Sequence, residues 1–129
     1  MSGRFLLDTN IVIALWANDE SVMNHLALAS EVFIPLIVLG ELCYGARKSA
    51  WSAKNIARID DFAIQSTILL ADMTTAQQYG QIKNRLRAKG RPIPENDLWI
   101  AALAVQYTLT LVTRDDHFNA IGGLSLAKW

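Results

Sequence analysis

The stretch RFLLDTNIVIALW, residues 4–16, contains the first strand-to-helix transition that the sequence predicts. Residues 4–7 form a short apolar run, which predicts a buried β-strand. Asp8, Thr9 and Asn10 follow directly, and such residues favour a helix N-terminus because their side chains accept hydrogen bonds from free backbone N–H groups. The apolar residues 11–16 predict the helix itself. The stretch is therefore predicted to be a strand, a polar turn and a helix.

The same alternation continues along the chain. Residues 31–35 predict a second strand, and residues 36–48 place Ile37, Glu41, Tyr44 and Lys48 at helical spacing. Later helices are predicted at 51–64, at 74–89 before Gly90, and at 98–107 with 95–97 as the first turn, and later strands at 67–70 and 109–113. This alternation predicts an α/β fold with a central parallel sheet and helices on both faces. In such folds, sites form beyond the carboxyl ends of the strands.

Composition limits the class of protein. A chain of 129 residues with 52% hydrophobic side chains predicts one domain over residues 1–129. The single cysteine excludes an intramolecular disulfide and a cysteine-based zinc site, and it fits a reducing cytoplasm. The longest apolar stretch, residues 32–39, is far shorter than the ~20 residues that span a bilayer, so we expect no membrane association. Twelve basic residues balance twelve acidic ones, so affinity for phosphate must come from local patches or bound metal.

Four acidic residues are predicted to meet at the carboxyl edge of the sheet. Asp8 and Asp115 follow the first and last predicted strands, and Glu41 and Asp97 lie on predicted helices. Two unit charges about 5 Å apart repel by roughly 3 kcal/mol at an effective dielectric near 20, so such a cluster requires a counter-ion. Carboxylate oxygens are ligands of hard cations. The sequence therefore predicts a site for Mg²⁺ or Mn²⁺.

Each acid also has a purely structural interpretation. Asp8 and Asp97 could be helix caps, and Asp115 and Asp116 could initiate a turn. Glu41 is harder to explain in this way, because no other charge occurs in residues 32–44. The four acids together favour a metal site over four separate structural roles.

Four short segments carry a resemblance that covers essentially the whole chain. They are FLLDTN (5–10), LGEL (39–42), NDLWIAA (96–102) and LVTRD (111–115), the last with Phe118 close behind. In their order and separation they resemble the PIN domain family, and within it the VapC-type ribonuclease toxins. The resemblance implies a parallel α/β fold, metal-dependent cleavage of RNA, frequent homodimerisation and neutralisation by a small antitoxin protein.

The resemblance also implies roles for individual residues. It assigns to the metal site the acids Asp8, Glu41 and Asp97, with supporting polar neighbours Thr9, Asn10 and Thr113. The fourth acid is Asp115 or Asp116, because many relatives have an asparagine at position 115 and an acid two residues later, where this chain has His117. Asp115 is preferred for its Thr-x-Asp spacing. No role is assigned to His117 or to His25.

The predicted activity is that of an endoribonuclease. The carboxylates would position one or two Mg²⁺ or Mn²⁺ ions that activate water against a phosphorus, leaving a 5′-phosphate and a 3′-hydroxyl. Residues 83–91 contain five cations and no acid, and they are predicted to contact the RNA backbone, above all through Arg85, Arg87, Lys89 and Arg91. The alternative for this segment is a solvated helix face.

Two other function classes fit the sequence less well. A non-catalytic interaction module would retain the fold as a platform for partners, but the presence of all four acids argues against it. An aspartyl phosphatase or phosphoacceptor would use Asp8 as a nucleophile. Such sites usually have a second acid next to the first or two residues away, and Thr9 and Asn10 occupy those positions here.

Overall fold

The computed structural model describes residues 3–129, and in this part of the chain five parallel strands form one sheet. The strands are β1 (Arg4–Leu7), β2 (Glu31–Pro35), β3 (Thr67–Leu69), β4 (Thr110–Val112) and β5 (Leu126–Ala127). Their spatial order is β3-β2-β1-β4-β5, and every neighbouring pair is parallel. The predicted α/β fold with a central parallel sheet is confirmed.

Six α-helices and one 3₁₀ helix flank the sheet in the described residues. They are α1 (Thr9–Trp16), α2 (Glu20–Leu28), α3 (Leu36–Lys48), α4 (Ser52–Gln65), α5 (Met73–Ala88), α6 (Glu95–Gln106) and the 3₁₀ helix Asp116–Ala120. All five helices predicted from the sequence are present within one or two residues of their expected ends, once residues 95–97 are counted as the first turn of α6. Helix α2, the 3₁₀ helix and β5 were not predicted from the sequence.

The first turn of α1 and the last turn of α5 show how the sequence begins and ends a helix. Asp8 is the N-cap of α1, and its carboxylate accepts a hydrogen bond from the Thr9 N–H. Just after the C-terminal end of α5, Gly90 has a φ of +66°, a backbone conformation that residues with a Cβ rarely adopt. The N–H of Arg91 then donates to the Leu86 carbonyl at 2.9 Å, which satisfies a free carbonyl of the last turn.

The strand order creates a switch point beside β1. From β1 the chain builds β2 and β3 on one side, and it then returns to the other side of β1 to form β4. A crevice opens where two such halves diverge, at the carboxyl ends of the strands. Leu7 pairs with Val112, so the next residues, Asp8 and Thr113, emerge side by side at this crevice.

Helix α6 is the most deeply buried helix. Leu98 and the continuous run 100–104 are all buried, so this helix is covered around most of its circumference. It packs against both α5 and α3. The deep burial fixes the helix firmly, and its first turn carries Asp97 to the crevice. No helix in residues 3–129 combines the length and the apolar character needed to cross a bilayer.

Candidate metal centre

Asp8 is the most enclosed acid at the crevice. Only 5% of its surface is exposed. One carboxylate oxygen accepts the Thr9 N–H at 2.8 Å, and the other accepts the Thr113 hydroxyl at 2.7 Å. Burial raises the pKa of Asp8 and the nearby charge of Asp115 adds to the rise, whereas the two hydrogen bonds oppose it. A buried carboxylate with both oxygens engaged is poorly placed to attack phosphorus, which argues against Asp8 as a phosphoacceptor.

Thr113 joins the two central strands of the site. Its hydroxyl donates to Asp8 and accepts the backbone N–H of Asp115 at 3.0 Å. The Asn10 amide donates to the same hydroxyl at 3.4 Å and accepts the Arg114 N–H at 3.3 Å. These bonds fix the segment after β4 relative to the start of α1, so two of the predicted supporting residues lie where they can orient the acids.

Glu41 reaches the site from α3. Its Oε1 accepts the Thr9 hydroxyl at 2.9 Å, and the side chain is half-buried. This bond joins α3 to the first turn of α1, and it accounts for a charged residue between the buried Leu39 and Leu42. Thr9, the third predicted supporting residue, therefore also contacts a site acid.

Asp97, Asp115 and His117 form a tight cluster. One ligand atom from each lies within 4.8 Å of the other two. His117 Nδ1 is 3.0 Å from Asp115 Oδ1 and 3.3 Å from Asp97 Oδ2. Desolvation raises the pKa of Asp97, the hydrogen bond from His117 lowers it, and the charges of Asp8 and Asp115 raise it further. The net rise shows that the site disfavours the ionised form in the absence of a cation.

Glu41, Asp97, Asp115 and His117 line an open cavity of about 440 Å³, whereas Asp8, although predicted as a metal ligand, does not line it. Its walls are formed by Glu41, residues 94–97, Asp115 and His117. Asp116 points elsewhere: it is not among the lining residues, its side chain is 79% exposed, and it pairs with Lys128 at 3.3 Å. Of the two sequence candidates for the fourth acid, the structure brings Asp115 to the cavity and leaves Asp116 outside.

His117 is the site residue that the sequence analysis missed. A usable signal was present, because His117 lies two residues after Asp115 on the segment that follows a predicted strand. The backbone N–H of His117 donates to Asp115 Oδ1 at 2.9 Å and turns the chain into the 3₁₀ helix. This turn places both side chains at the same cavity.

The predicted RNA-binding segment is divided between different faces of α5 and the following loop. Its four candidate residues, Arg85, Arg87, Lys89 and Arg91, are all exposed. Arg87 lines an apolar cavity of about 540 Å³ that shares Glu95 with the acidic cavity, whereas Arg85 and Lys89 line a separate small cleft. Lys83 pairs with Glu95 at 2.6 Å. The segment is thus near the acidic cavity, and its contact with RNA stays a prediction.

Comparison with known proteins shows which proteins this chain resembles. The family model of the PIN domain matches residues 5–124. Ribonuclease VapC2 of Haemophilus influenzae is 36% identical over 129 residues, covering 98% of both chains. The tRNA(fMet)-specific endonuclease VapC of Shigella flexneri matches with the same identity and coverage.

Solved structures with the same fold include two complexes with DNA. VapBC2 from Rickettsia felis, bound to a fragment of its promoter, is 33% identical with a TM-score of 0.89, covering 100% of this chain and 99% of the other. DNA-bound VapBC from Salmonella typhimurium is 32% identical with a TM-score of 0.90, covering 98% of each. VapBC-5 from Mycobacterium tuberculosis, a member of a family of toxin-antitoxin systems, is 30% identical with a TM-score of 0.75, covering 98% and 96%.

Proposed function

The chain belongs to the PIN domain family, and on that premise we propose that it is a divalent-metal-dependent endoribonuclease, the toxin of a toxin-antitoxin pair acting in the cytoplasm. The observation that carries the proposal is the acidic cavity at the switch point, where Asp97, Asp115 and His117 converge. Relatives that match over nearly their whole length are named as ribonucleases, one of them specific for a tRNA. The proposed substrate class is therefore RNA.

The donor atoms of the cavity suit Mg²⁺ or Mn²⁺. Carboxylate oxygens predominate, and both metals accept them. Asp97 and Asp115 would hold the ion, Glu41 lies on the cavity wall, and the buried Asp8 adds negative charge nearby. When bound, the ion would lower the pKa of a water molecule and offset negative charge on the substrate phosphate.

The proposed reaction is hydrolysis of a phosphodiester. The oxygen of water bonds to phosphorus, the bond from phosphorus to O3′ breaks, and O3′ takes up a proton, which gives a 5′-phosphate and a 3′-hydroxyl. The chain contributes preorganisation: the hydroxyls of Thr113 and Thr9 fix the carboxylates of Asp8 and Glu41 before substrate binds. Groups fixed in this way need not reorganise as charge develops in the transition state.

Two kinds of macromolecular partner follow from the same proposal. RNA backbone would approach along the basic segment of residues 83–91, where Lys83 pairs with Glu95 and Arg87 lines the apolar cavity that shares Glu95 with the acidic cavity. A small antitoxin would neutralise the protein, because the similar solved structures are VapBC complexes. We also propose that the protein forms a homodimer, which sedimentation of the purified chain would test.

Cleavage of bulk tRNA by the purified chain tests the activity. We expect cleavage with Mg²⁺ or Mn²⁺, none after chelation, and none when Ca²⁺ replaces Mg²⁺. Asp97→Asn removes a cavity carboxylate, and Asp72→Asn is the matched control, since Asp72 caps α5 instead. Undiminished cleavage by Asp97→Asn in excess chelator would contradict the metal mechanism. Absence of cleavage under every metal, with antitoxin binding intact, would favour the non-catalytic interaction module.

A further inference from the structure

The imidazole of His117 faces the two carboxylates that would hold the ion. Its Nδ1 lies 3.0 Å from Asp115 Oδ1 and 3.3 Å from Asp97 Oδ2. For bonds of roughly 2.1 to 2.2 Å, neighbouring ligand atoms of an octahedral site lie about 3.0 to 3.1 Å apart. The distance from Nδ1 to Asp115 Oδ1 matches such an edge, and the distance to Asp97 Oδ2 is longer than one, so Asp97 would have to move slightly inward to share an ion with the other two groups.

The backbone holds this nitrogen in place although the side chain is half exposed. Phe118, the next residue, is fully buried and anchors the 3₁₀ helix in the core. The backbone N–H of His117 donates to Asp115 Oδ1, so the Asp115 carboxylate is held beside the segment that carries the imidazole. Asp97 comes from the firmly packed helix α6. The three groups therefore approach from rigid elements, as a preorganised metal site requires.

We propose that His117 Nδ1 is a direct ligand of the divalent ion, together with Asp97 and Asp115, and that this mixed nitrogen and oxygen set makes the site selective for Mn²⁺ over Mg²⁺. The inference rests on the proposed metal-dependent function and specifies its ion. Imidazole nitrogen suits first-row transition metals, whereas Mg²⁺ prefers oxygen ligands and retains its waters. The departure from an all-oxygen site thus gives the chain a means of discriminating between two ions of equal charge.

The same distances would also fit a protonated His117 whose single Nδ1–H donates to Asp97 Oδ2 and lies close to the charge of Asp115. In that arrangement the ion contacts oxygen atoms alone, and His117 acts as a positioning residue. The two possibilities differ in whether a histidine nitrogen is bonded to the metal. They also differ in metal selectivity, because a hydrogen-bonding role would weaken Mg²⁺ and Mn²⁺ binding alike when the imidazole is removed.

Pulsed electron paramagnetic resonance of the Mn²⁺-loaded, tag-free protein measures that bond directly. The chain has two histidines, so protein labelled with ¹⁵N only in the histidine rings identifies the nitrogen as imidazole. His25→Gln is the matched control, because His25 stacks on Trp129 and does not line the acidic cavity. We expect imidazole nitrogen coupling in the parent and in His25→Gln, and its loss in His117→Gln.

Metal affinity provides the second measurement. We expect His117→Gln to raise the Kd for Mn²⁺ by about tenfold or more and that for Mg²⁺ by less than about threefold. Bound Mn²⁺ without imidazole coupling in the parent protein would overturn the proposal while leaving the metal-dependent function standing, and this result does not depend on any variant folding. Failure of both Mn²⁺ and Mg²⁺ to bind the parent would overturn the proposal together with the proposed function.

Discussion

Two pairs of aspartates lie at helix N-termini, but the pKa values of the two pairs are shifted in opposite directions. Asp19 and Asp72 cap helices α2 and α5 through backbone N–H groups at 3.1 Å. Asp8 caps α1, and Asp97 lies in the first turn of α6. Hydrogen bonds lower the pKa of both members of the first pair, whereas burial raises the pKa of both members of the second.

The difference shows how an acid at a helix N-terminus can serve either stability or function. Asp72 accepts hydrogen bonds from the Thr75 N–H and from the Gln106 amide, which favour its charged form. Asp97 has been desolvated beside two further carboxylates, and only His117 opposes the rise in its pKa. The first arrangement stabilises the fold. The second costs stability, and a bound cation would recover that cost.

Substitutions in the two pairs of aspartates should differ most in their effect on the rate of RNA cleavage. Asp97→Asn keeps the shape of the side chain but removes a charge from the cavity, so we expect RNA cleavage to fall on the order of a hundredfold or more. Asp8→Asn and Glu41→Gln should behave in the same direction. Asp72→Asn should stay within about twofold of the parent, because asparagine is an equally good cap. Initial rates on one RNA with Mn²⁺ measure all four, and equal losses in Asp97→Asn and Asp72→Asn would abolish the distinction.

Substitution of Asp97 and of Asp72 should change the stability of the metal-free protein in opposite directions. We expect Asp97→Asn to raise the melting temperature by a few degrees, because it removes a desolvated charge that faces Asp8 and Asp115. We expect Asp72→Ala to lower it by a similar amount, because the N-cap and the contact with Gln106 are lost. Thermal melts of metal-free protein compare them. A fall for both variants would mean that Asp97 is a structural cap.

The pH dependence of these shifts has a predictable sign. The pKa of Asp97 is raised above 3.8, the ordinary value for an aspartate. Its contribution to stability is therefore present below pH 3.8 and is lost as the pH rises through the pKa of the folded state. The benefit of Asp97→Asn should therefore grow from pH 4 to pH 7. The lowered pKa of Asp72 gives a contribution to stability that is present above pH 3.8 and is lost as the pH falls through the pKa of the folded state. The deficit of Asp72→Ala should shrink below about pH 4, and parallel curves for both variants would refute the assignment.

The smallest expected effect concerns the basic segment, where charge serves substrate binding. Replacing Arg85 and Arg87 by alanine should weaken binding to all RNAs about equally, and it should reduce the salt dependence of log K by roughly 0.7 for each lost phosphate contact. Affinity at several salt concentrations, with Ca²⁺ suppressing cleavage, measures this. The matched control replaces Arg47 and Lys48 on α3. If only the control changes the slope, the RNA follows α3 and the segment 83–91 is a solvated helix face.

Three features were not predicted from the sequence, each for its own physical reason. Helix α2 has only nine residues and buries only Val22, so it presents little apolar surface by which a helix could be recognised. Strand β5 has two residues, too few to show alternation, and it exists because β4 offers an edge for pairing. The spacing of His117 from Asp115 is visible in the sequence, but its proximity to Asp97, twenty residues away in the chain, is a tertiary contact.

From the sequence alone we could predict the parallel α/β sheet, four of its five strands, five of the six α-helices in residues 3–129, and acids at the carboxyl edge of the sheet. These follow from local periodicity and from the rule that parallel strands share one carboxyl edge. The folded structure brought Asp115 rather than Asp116 to the acidic cavity, placed His117 beside Asp97 and Asp115, and enclosed Asp8 against Thr113, 105 residues along the chain. The reason is that desolvation and Coulomb energy depend on distances in space, and the sequence encodes these distances only through the packing of the whole fold.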